Sequence, residues 1–518
     1  MEISLAAVAP ELILALAAVV VLLLGSWLPR RRQYLARWTA LAAVAAALVL
    51  SVARIAQTPQ GTAAGTFTVD VSLEMTRIAV LAGTAVVVLL AGERFSGDKR
   101  ESEFYVLLLL AALGTLVLAA ASDLLVLGAG YLLASIPLYA VVGYAKDSRG
   151  TEGMLKYYLM GALFGVLLLF GITLLLGTGG NTAYTDLART LPGAPAGATA
   201  VGLLAVTAGL LFKAGAVPAH FWVPDAIDGT TGPAAAFIAT IPKIGALVAL
   251  FRISSLPGLP AGWPLILALL AAATMTLGNL AAFFQNSVLR LLAYSTISQV
   301  GYLLMIVAAV GHSALALPSL LFYLLAYTVT NLGAFAVVCA FPDHRTLDDY
   351  SGLFRRHRWL SLSLIICLLG LVGTPPTAVF IGKLTAFTAA LDAGLGWLVI
   401  LALANSVASV FYYLRWIYRI FQSPAARSPD ESAVAPGSAL AAQPTPAPET
   451  GTTTVPAAVP AAQPVAIPSA LASPIGSTTD AGRPWGSRIA VVLAVLSLGL
   501  GLAANPILAI LQTNPMAP

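Results

Sequence analysis

The sequence predicts an all-α polytopic membrane protein. Of its 518 residues, 59% are hydrophobic and 9% are charged, whereas soluble domains are about 25% charged. The apolar runs are rich in Leu, Ala and Val and lack the alternation of β-strands, which favours helices over a barrel. The composition excludes a cytosolic enzyme, a nucleic-acid binder and a disordered protein, because so little charge cannot cover a soluble surface.

Fourteen stretches are apolar enough to cross a membrane as helices, since a crossing needs about 20 mostly apolar residues. The first resembles a signal peptide in length. However, no basic residue precedes it and Arg30, Arg31 and Arg32 follow it, so we expect it to be retained. The stretches lie near 3–28, 36–56, 76–95, 103–121, 123–145, 153–177, 199–227, 233–253, 262–285, 288–311, 313–341, 359–391, 393–421 and 487–512.

The basic residues test this count of spans, because loops that face the cytoplasm carry an excess of Lys and Arg. With the N-terminus outside, the loops after odd-numbered spans and their flanks hold 19 of the 27 basic residues. Four others, Arg54, Arg77, Arg189 and Arg252, fall on the opposite side. This asymmetry predicts fourteen spans with both termini on the outer side of the membrane.

One segment differs from the rest in composition. Residues 423–485 are dominated by Ala, Pro, Thr and Ser and have no periodic apolar face. This low complexity predicts a disordered or polyproline-like cytoplasmic linker, either a plain spacer or a docking arm. The predicted division of the chain is 1–102 for three N-terminal spans, 103–260 and 261–422 for two five-helix repeats, 423–485 for the linker and 486–518 for the last span.

Four basic residues remain inside the spans, and all are lysines, although the chain has only six lysines: Lys156, Lys213, Lys243 and Lys383. A lysine in hydrocarbon costs at least about 2.5–3.5 kcal/mol and marks a candidate functional site. Burial favours the neutral amine, so a buried lysine can bind and release a proton near neutral pH, whereas arginine stays charged. The four lysines predict a proton relay. Lys156 lies near the end of its span and could instead extend its amine to the membrane surface.

Two of these lysines lie beside predicted helix breaks. Lys213 precedes a Gly and a Pro in LFKAGAVPAHFW, and Lys383 follows a Gly and two Pro in GTPPTAVFIGK. Interrupted helices inside a membrane expose backbone groups that need polar partners. The breaks fall in the seventh and twelfth spans, which are the fourth members of two successive five-span blocks, as an internal repeat would place them.

Further polar residues extend this line. His220 and Asp225 follow the first break, and His220 could be a relay member or a packed core residue. Transmembrane Ser and Thr more often bond their own helix backbone than carry out chemistry. Around the tenth span the polar residues are Gln285, Ser295, Thr296, Ser298, Gln299 and Tyr302.

Cofactor motifs are absent from the sequence. There is no glycine-rich dinucleotide motif, no P-loop, no haem-attachment motif and no cluster of metal ligands. The two cysteines, Cys339 and Cys367, lie in apolar runs and give no disulfide or iron–sulfur spacing. We therefore expect no redox cofactor and no metal in this chain.

The segment from Leu211 to Arg252 resembles the core signature of the antiporter-like membrane subunits of respiratory complex I, the proton-translocating NADH:quinone oxidoreductase. That signature reads LFKAGAVPAHFWVPDAIDGTTGPAAAFIATIPKIGALVALFR. Four further segments match the same family in the same order, and the resemblance covers about residues 70–420 and the last span. They are NSVLRLLAYSTISQVGYLL, LAYTVTNLGAFAVV, DDYSGLF and GTPPTAVFIGKLTAF.

The resemblance implies a fourteen-helix subunit with two inverted five-helix repeats and broken seventh and twelfth helices. It implies proton translocation driven by quinone reduction, with quinone, flavin and iron–sulfur clusters held by partner subunits. Lys213, Lys243 and Lys383 would be the central proton-carrying lysines, with Lys156 as a bridging lysine. The implied partners are the adjacent antiporter-like and small helical subunits, in a bacterial plasma (inner) membrane.

The sequence departs from the family pattern in the fifth span. The family carries a glutamate there that is thought to modulate the seventh-span lysine, but the aligned position is Leu132, and no Asp or Glu lies between Asp123 and Asp147. A tenth-span position often held by histidine is Gln299. A carboxylate near a buried lysine favours its charged form. We therefore expect Lys213 to depend on water, on Lys156 or on an acidic group of a neighbouring subunit.

Two other functions remain open from the sequence. One is a subunit of a multi-subunit cation/proton antiporter, which shares the fold. Co-purification of the chain with flavin and iron–sulfur subunits would exclude this function. The other is a scaffold subunit that has lost pumping, which the leucine at position 132 suggests. Counting protons per electron pair would distinguish a scaffold from a pump.

We predict that limited proteolysis of inside-out membrane vesicles cuts first within residues 423–485, because this segment lacks the apolar content to fold and is placed on the cytoplasmic side. Fragments would be located by mass spectrometry. Right-side-out vesicles are the control and should protect the segment. Cutting in right-side-out vesicles with protection in inside-out ones would contradict the topology.

Overall fold

The computed structural model describes residues 7–55, 61–63, 65–423 and 483–512. Within these residues the chain forms nineteen α-helices and one antiparallel pair of strands, β1 (Gly61–Ala63) and β2 (Phe67–Val69). The predicted linker at 423–485 falls almost entirely outside the described residues. The helices are α1 (Ala9–Trp27), α2 (Tyr34–Arg54), α3 (Val71–Phe95), α4 (Glu101–Ala120), α5 (Leu124–Val142), α6 (Ser148–Gly179), α7 (Tyr184–Thr190), α8 (Ala196–Ala214), α9 (Trp222–Gly229), α10 (Gly232–Ser254), α11 (Trp263–Ala282), α12 (Val288–Ala308), α13 (Ala316–Ala340), α14 (Leu353–Arg356), α15 (Arg358–Val372), α16 (Ala378–Asp392), α17 (Gly396–Phe421), α18 (Pro484–Leu502) and α19 (Ala504–Gln512).

The predicted fold, an all-α polytopic membrane protein with about fourteen spans, is confirmed. Thirteen of the described helices are long and apolar enough to cross a membrane. The twelfth span is divided between α15 and α16, which have 15 residues each, and therefore adds a fourteenth crossing. The seventh span is α8 followed by α9, a helix of 8 residues. The short helix α7 lies between the sixth and seventh spans.

The helices differ in how much of their surface is buried. α10 is buried along its whole length and α12 and α13 nearly so, whereas α1, α6 and α18 expose much of their apolar surface. A helix that is apolar all round and fully buried belongs to the core of a bundle. The three central helices therefore form the core, and the outer helices present their apolar faces to lipid or to other subunits.

The seventh span is interrupted at a glycine. α8 ends at Ala214, and Gly215 adopts a left-handed backbone with φ of +78°. Its N–H donates to Leu211 O at 2.8 Å, and the N–H of Ala216 donates to the same carbonyl at 2.9 Å. Glycine has no Cβ to oppose this conformation, which commonly ends helices. The chain then passes Pro218, which cannot donate a backbone hydrogen bond, before α9 begins.

The twelfth span is interrupted in the same way. α15 ends at Val372, and Gly373 is left-handed with φ of +91°. The N–H groups of Gly373 and Thr374 both donate to Leu369 O at 3.1 Å. α16 begins at Ala378, after two prolines. Both breaks predicted from the sequence are thus confirmed, and they occupy the fourth position in two successive sets of five spans.

Buried ion pairs lie near the predicted outer ends of the first three helices. The Arg77 guanidinium on α3 contacts Glu11 of α1 at 2.6 Å and Glu74 of its own helix at 2.7 Å. Arg252, at the end of α10, contacts Asp70 at the start of α3 at 2.8 Å. A buried charge needs a partner of this kind. These contacts join the N-terminal helices to one another and to the central core.

The fourth and fifth spans approach each other closely at a glycine. A Cβ built on Gly114 of α4 would lie 2.2 Å from the backbone N of Ala134 on α5. This atom belongs to a helix backbone and cannot move aside as a flexible side chain could. Ala134 also supplies a contact to Lys213, described below. The glycine therefore fixes the position of α5 relative to the core.

We predict that Gly114→Ala lowers the thermal stability of the protein purified in detergent, because overpacking of this kind costs about 1–3 kcal/mol. Gly177→Ala is the matched control, since Gly177 lies in the helix α6 with nothing within 4 Å of an added Cβ. Alanine is the better helix former at both positions. Equal unfolding temperatures for the two variants would show that α4 and α5 separate without cost.

Candidate functional site

The structure buries three of the four predicted relay lysines. Lys213, Lys243 and Lys383 are almost completely enclosed. Among the described residues, no carboxylate lies within 4.0 Å of any of these three amines, so their charged forms rely on neutral acceptors. Lys156 differs, with 46% of its side chain exposed.

Lys213 lies on α8 and contacts the fifth span. Its Nζ donates to the carbonyl of Ala134 at 2.5 Å and to Ser135 Oγ at 3.0 Å. Ser135 in turn donates to the carbonyl of Tyr131 at 2.7 Å. Leu132, where the family glutamate was expected, is 39% exposed on α5. The polar partners of Lys213 are therefore a backbone carbonyl and a hydroxyl, and its expected dependence on water, on Lys156 or on an acidic group of a neighbouring subunit stays a prediction.

Lys243 lies on α10, and its amine contacts the C-terminal end of α8, where the seventh span is broken. Its Nζ donates to Ala214 O at 2.8 Å, the carbonyl of the last residue of α8. The carbonyls at a helix C-terminus lack intrahelical partners and carry about half a negative charge between them. The Trp222 ring is centred 6.0 Å from the amine. A Cβ at Gly215 would lie 2.8 Å from Lys243 Nζ, so the glycine also leaves room for the amine.

Lys383 makes the equivalent contact at the second break. Its Nζ donates to Val372 O at 2.8 Å, the carbonyl of the last residue of α15. Weaker contacts at 3.4 Å join it to Leu371 O and to Ser406 Oγ of α17. The Tyr302 ring is centred 4.3 Å away, which is a cation–π distance. Both half-helices thus end on a lysine amine.

Polar side chains of α12 and α13 reach the site of Lys383. The Gln299 amide donates to Leu371 O at 2.7 Å, and Lys383 contacts the same carbonyl. The Tyr323 hydroxyl donates to Gln299 Oε1 at 2.6 Å. Gln299 therefore links the end of the broken twelfth helix to the core helix α13.

A second group of polar side chains lies near Lys243. The Asn331 amide donates to Thr240 Oγ1 at 3.0 Å and to the Tyr327 hydroxyl at 3.1 Å. That hydroxyl lies 3.1 Å from Thr296 Oγ1. Thr240 precedes Lys243 by one helical turn. We call the two groups together the central polar line, which consists of Thr240, Thr296, Gln299, Tyr323, Tyr327 and Asn331.

The sequence found only part of this line. Thr296 and Gln299 were predicted from the tenth span, and Tyr302 lies against Lys383 as described. The other polar residues predicted around the tenth span lie outside the line. Ser295 Oγ is 2.5 Å from the Tyr413 hydroxyl, Ser298 is buried, and the Gln285 amide donates to the carbonyl of Ala281 near the end of α11. The eleventh-span members were missed. The signal that could have found them is the i, i+4, i+8 spacing of Tyr323, Tyr327 and Asn331 in an otherwise apolar helix.

His220 lies in the break of the seventh span and is buried. Its ring packs against Phe221 with centroids 4.4 Å apart, and its Nδ1 has no hydrogen-bond partner among the described residues. His220 therefore has the packing contact expected of a core residue and a ring nitrogen that is available to a relay. Its proton-carrying role stays a prediction.

Lys156 is held in ion pairs at the predicted cytoplasmic end of α6. Its amine lies 2.7 Å from Glu152 and 2.8 Å from Asp225 of α9. Arg290 of α12 contacts the other oxygen of Asp225 at 3.0 Å. The structure therefore places Lys156 at the surface with acidic partners, apart from the three buried amines. Its bridging role stays a prediction.

Comparison with known proteins shows the family to which this chain belongs. The family described as "NADH:quinone oxidoreductase/Mrp antiporter, TM" matches residues 121–410, a range that includes all four lysines. NADH-quinone oxidoreductase subunit N 1 of Streptomyces griseus subsp. griseus is 53% identical over 435 residues, which cover 84% of this chain and 91% of that one. NADH-quinone oxidoreductase subunit N of Mycobacterium sp. is 46% identical over 499 residues, or 96% of each chain.

Solved structures agree with these relatives. A chain of respiratory complex I from Thermus thermophilus, solved with bound aureothin, is 30% identical with a TM-score of 0.77, covering 97% of this chain and 99% of that one. A chain of the Mrp complex from Dietzia sp. has a TM-score of 0.79 at 21% identity, covering 98% and 97%, and shares the fold. The chain belongs to the NADH-quinone oxidoreductase subunit N family of antiporter-like membrane proteins.

Proposed function

We propose that this chain translocates protons as a membrane-arm subunit of a NADH-quinone oxidoreductase, and that Lys213, Lys243 and Lys383 carry the protons. Family membership supports the complex and the reaction. The observation that supports the lysines is their burial against neutral acceptors, with two of them on the carbonyl ends of broken helices. Lys156 and His220 are further candidates for the relay.

Carbonyl ends suit a lysine that must both gain and lose a proton. A full carboxylate beside a buried amine would hold the ammonium strongly, since it supplies a whole opposite charge. A helix end supplies only about half a charge. The ammonium is therefore stabilised enough to form inside the protein, and the neutral amine can still donate a hydrogen bond to the same carbonyl. Neither protonation state leaves the site without a partner.

The central polar line supplies groups that can pass a proton between the two broken helices. A hydroxyl both donates and accepts a hydrogen bond, so Thr296, Tyr323 and Tyr327 can relay a proton by exchanging one for another. The amides of Gln299 and Asn331 orient these hydroxyls. The two groups of the line lie one helical turn apart along α12 and α13. Water molecules would connect the two groups to each other and to the lysines.

We infer the remaining parts of the assignment from the same family. The chain carries no redox centre of its own, and quinone, flavin and iron–sulfur clusters belong to partner subunits. The partners are the adjacent antiporter-like and small helical subunits within the membrane. The membrane is the bacterial plasma (inner) membrane, with both termini on the outer side. A non-pumping scaffold is the second candidate, because no carboxylate among the described residues faces Lys213.

We predict that Lys383→Met lowers coupled turnover of the assembled complex by about tenfold or more, because a positioned proton-transfer group contributes about 10²–10⁴-fold to its step. Methionine should leave the fold intact, since an apolar side chain fits a buried site better than a charge does. The measurements are the rate of NADH oxidation by the assembled complex and the number of protons pumped per electron pair in inside-out vesicles.

Lys99→Met is the control for Lys383→Met, because Lys99 is exposed in a predicted cytoplasmic loop. It should keep the wild-type turnover and stoichiometry. Assembly of both variants would be checked by the recovery of all subunits after purification. An assembled Lys383→Met complex that pumps at the wild-type ratio would exclude Lys383 as a proton carrier.

We predict that Ser135→Ala slows turnover several-fold without loss of assembly, because the Lys213 ammonium loses one of its two acceptors, and a hydrogen bond to a charged group contributes about 1.5–3 kcal/mol. Ser51→Ala is the control, since Ser51 is equally buried and likewise bonds a carbonyl of its own helix, Ala47 O at 2.9 Å. Equal activities for the two variants would mean that Ser135 does not support Lys213 during turnover.

A further inference from the structure

A charged cavity lies at the predicted cytoplasmic end of the bundle. It encloses about 500 Å³ where loops and helix ends from both halves of the chain meet. Its lining carries both basic and acidic side chains, so it is a polar cavity and not a lipid-binding groove. Its charged lining consists of Arg149, Glu152, Asp225, Asp228, Arg290 and Arg345.

Asp225 lies at the centre of the ion pairs in this cavity. One carboxylate oxygen contacts Lys156 at 2.8 Å and the other contacts Arg290 at 3.0 Å, while 25% of the side chain is exposed. Lys156 has a second acidic partner, Glu152, at 2.7 Å. If Asp225 becomes neutral, Lys156 therefore keeps an ion pair. Asp228 accepts a hydrogen bond from Ser287 at 2.6 Å and lies 3.8 Å from Arg290, so Arg290 contacts both aspartates.

The helix that carries Asp225 begins beside a buried lysine. α9 is the second half of the broken seventh span, and Trp222 lies one turn before Asp225 at its start. The indole N–H donates to Phe212 O at 3.1 Å, and the ring stacks on Tyr157 at 4.1 Å. The same ring is centred 6.0 Å from Lys243 Nζ. The start of α9 therefore lies close to the Lys243 amine, and Asp225 lies one helical turn further along the same helix.

We propose that Asp225 is the group that takes up protons from the cytoplasmic side for Lys243. The carboxylate accepts a proton from a hydronium ion in the cavity and releases water, while Lys156 stays paired with Glu152. The carboxylic acid then gives its proton, through water beside Trp222, to the neutral amine of Lys243, which restores the carboxylate and forms the ammonium. This inference rests on the proposed function, and it supplies from α9 an acid that the fifth span lacks.

The experiment uses the assembled complex in inside-out vesicles, whose cytoplasmic face is exposed to the buffer. Asp225→Asn keeps the shape of the side chain but cannot take up a proton. Without the carboxylate, proton uptake becomes the slow step of turnover. We therefore expect the turnover of Asp225→Asn to fall by about tenfold between pH 7 and pH 8, because the rate of uptake follows the proton concentration. The wild type should vary much less over this range. Asp225→Glu should restore most of the wild-type profile.

Asp348→Asn is the matched control, because Asp348 forms an ion pair with Arg419 at 3.1 Å and does not line the cavity. It should keep the wild-type pH profile. Lys156→Met provides a second variant if Asp225→Asn does not assemble. Removing this cation takes one positive charge from beside the Asp225 carboxylate, which then attracts hydronium more strongly while Arg290, Arg149 and Arg345 remain, so we expect turnover to persist to higher pH.

The outcomes separate this inference from the proposed function. A wild-type pH profile for Asp225→Asn overturns the uptake role. The role is also overturned if Asp225→Asn loses the same fraction of turnover at every pH and Asp225→Glu does not restore it. If the complex does not assemble, an unchanged profile for Lys156→Met overturns it. Lys243→Met is measured in parallel. Normal pumping by Lys243→Met would overturn the lysine pathway itself, whereas impaired pumping with a wild-type Asp225→Asn profile would overturn only the role of Asp225.

Discussion

A lysine amine seated on the open end of a half-helix is the interaction on which the rest of the site depends. Inside a membrane, a broken helix leaves carbonyls without intrahelical partners, and a buried amine needs acceptors. The Lys243 amine donates to Ala214 O at the first break, and the Lys383 amine donates to Val372 O at the second. Each hydrogen bond satisfies both the open carbonyl and the amine. At each of these two sites the break and the lysine therefore form one structural unit.

The two units have the same chemistry but a different construction. In the first, the amine comes from the following span, α10, and in the second it comes from the far half of the same broken span, α16. Lys213 follows neither pattern, because it reaches back to the fifth span and uses Ala134 and Ser135. The repeat thus fixes where a helix opens, while the placement of each amine is a separate feature of its own half.

The number of spans, the two breaks and the buried lysines could all be predicted from the sequence, because each leaves a local signal. Apolar length gives the spans, glycine with proline gives the breaks, and a lysine in an apolar run is conspicuous. The partners of the lysines could not be predicted, because Ala214 and Val372 act through backbone carbonyls that any residue possesses. Tyr327 and Asn331 were missed for another reason: an aromatic and an amide on an apolar helix resemble ordinary packing until the neighbouring helices are in place.

The buried arginine of the third helix has a consequence for how the protein enters the membrane during synthesis. Arg77 and Glu74 lie one turn apart on α3, so their charges are neutralised as soon as that helix forms. The second carboxylate, Glu11, belongs to the first helix made and is already present when Arg77 emerges. We therefore expect the first three helices to leave the insertion machinery as a group. The order of the helices along the chain would then be part of how the charges reach the interior.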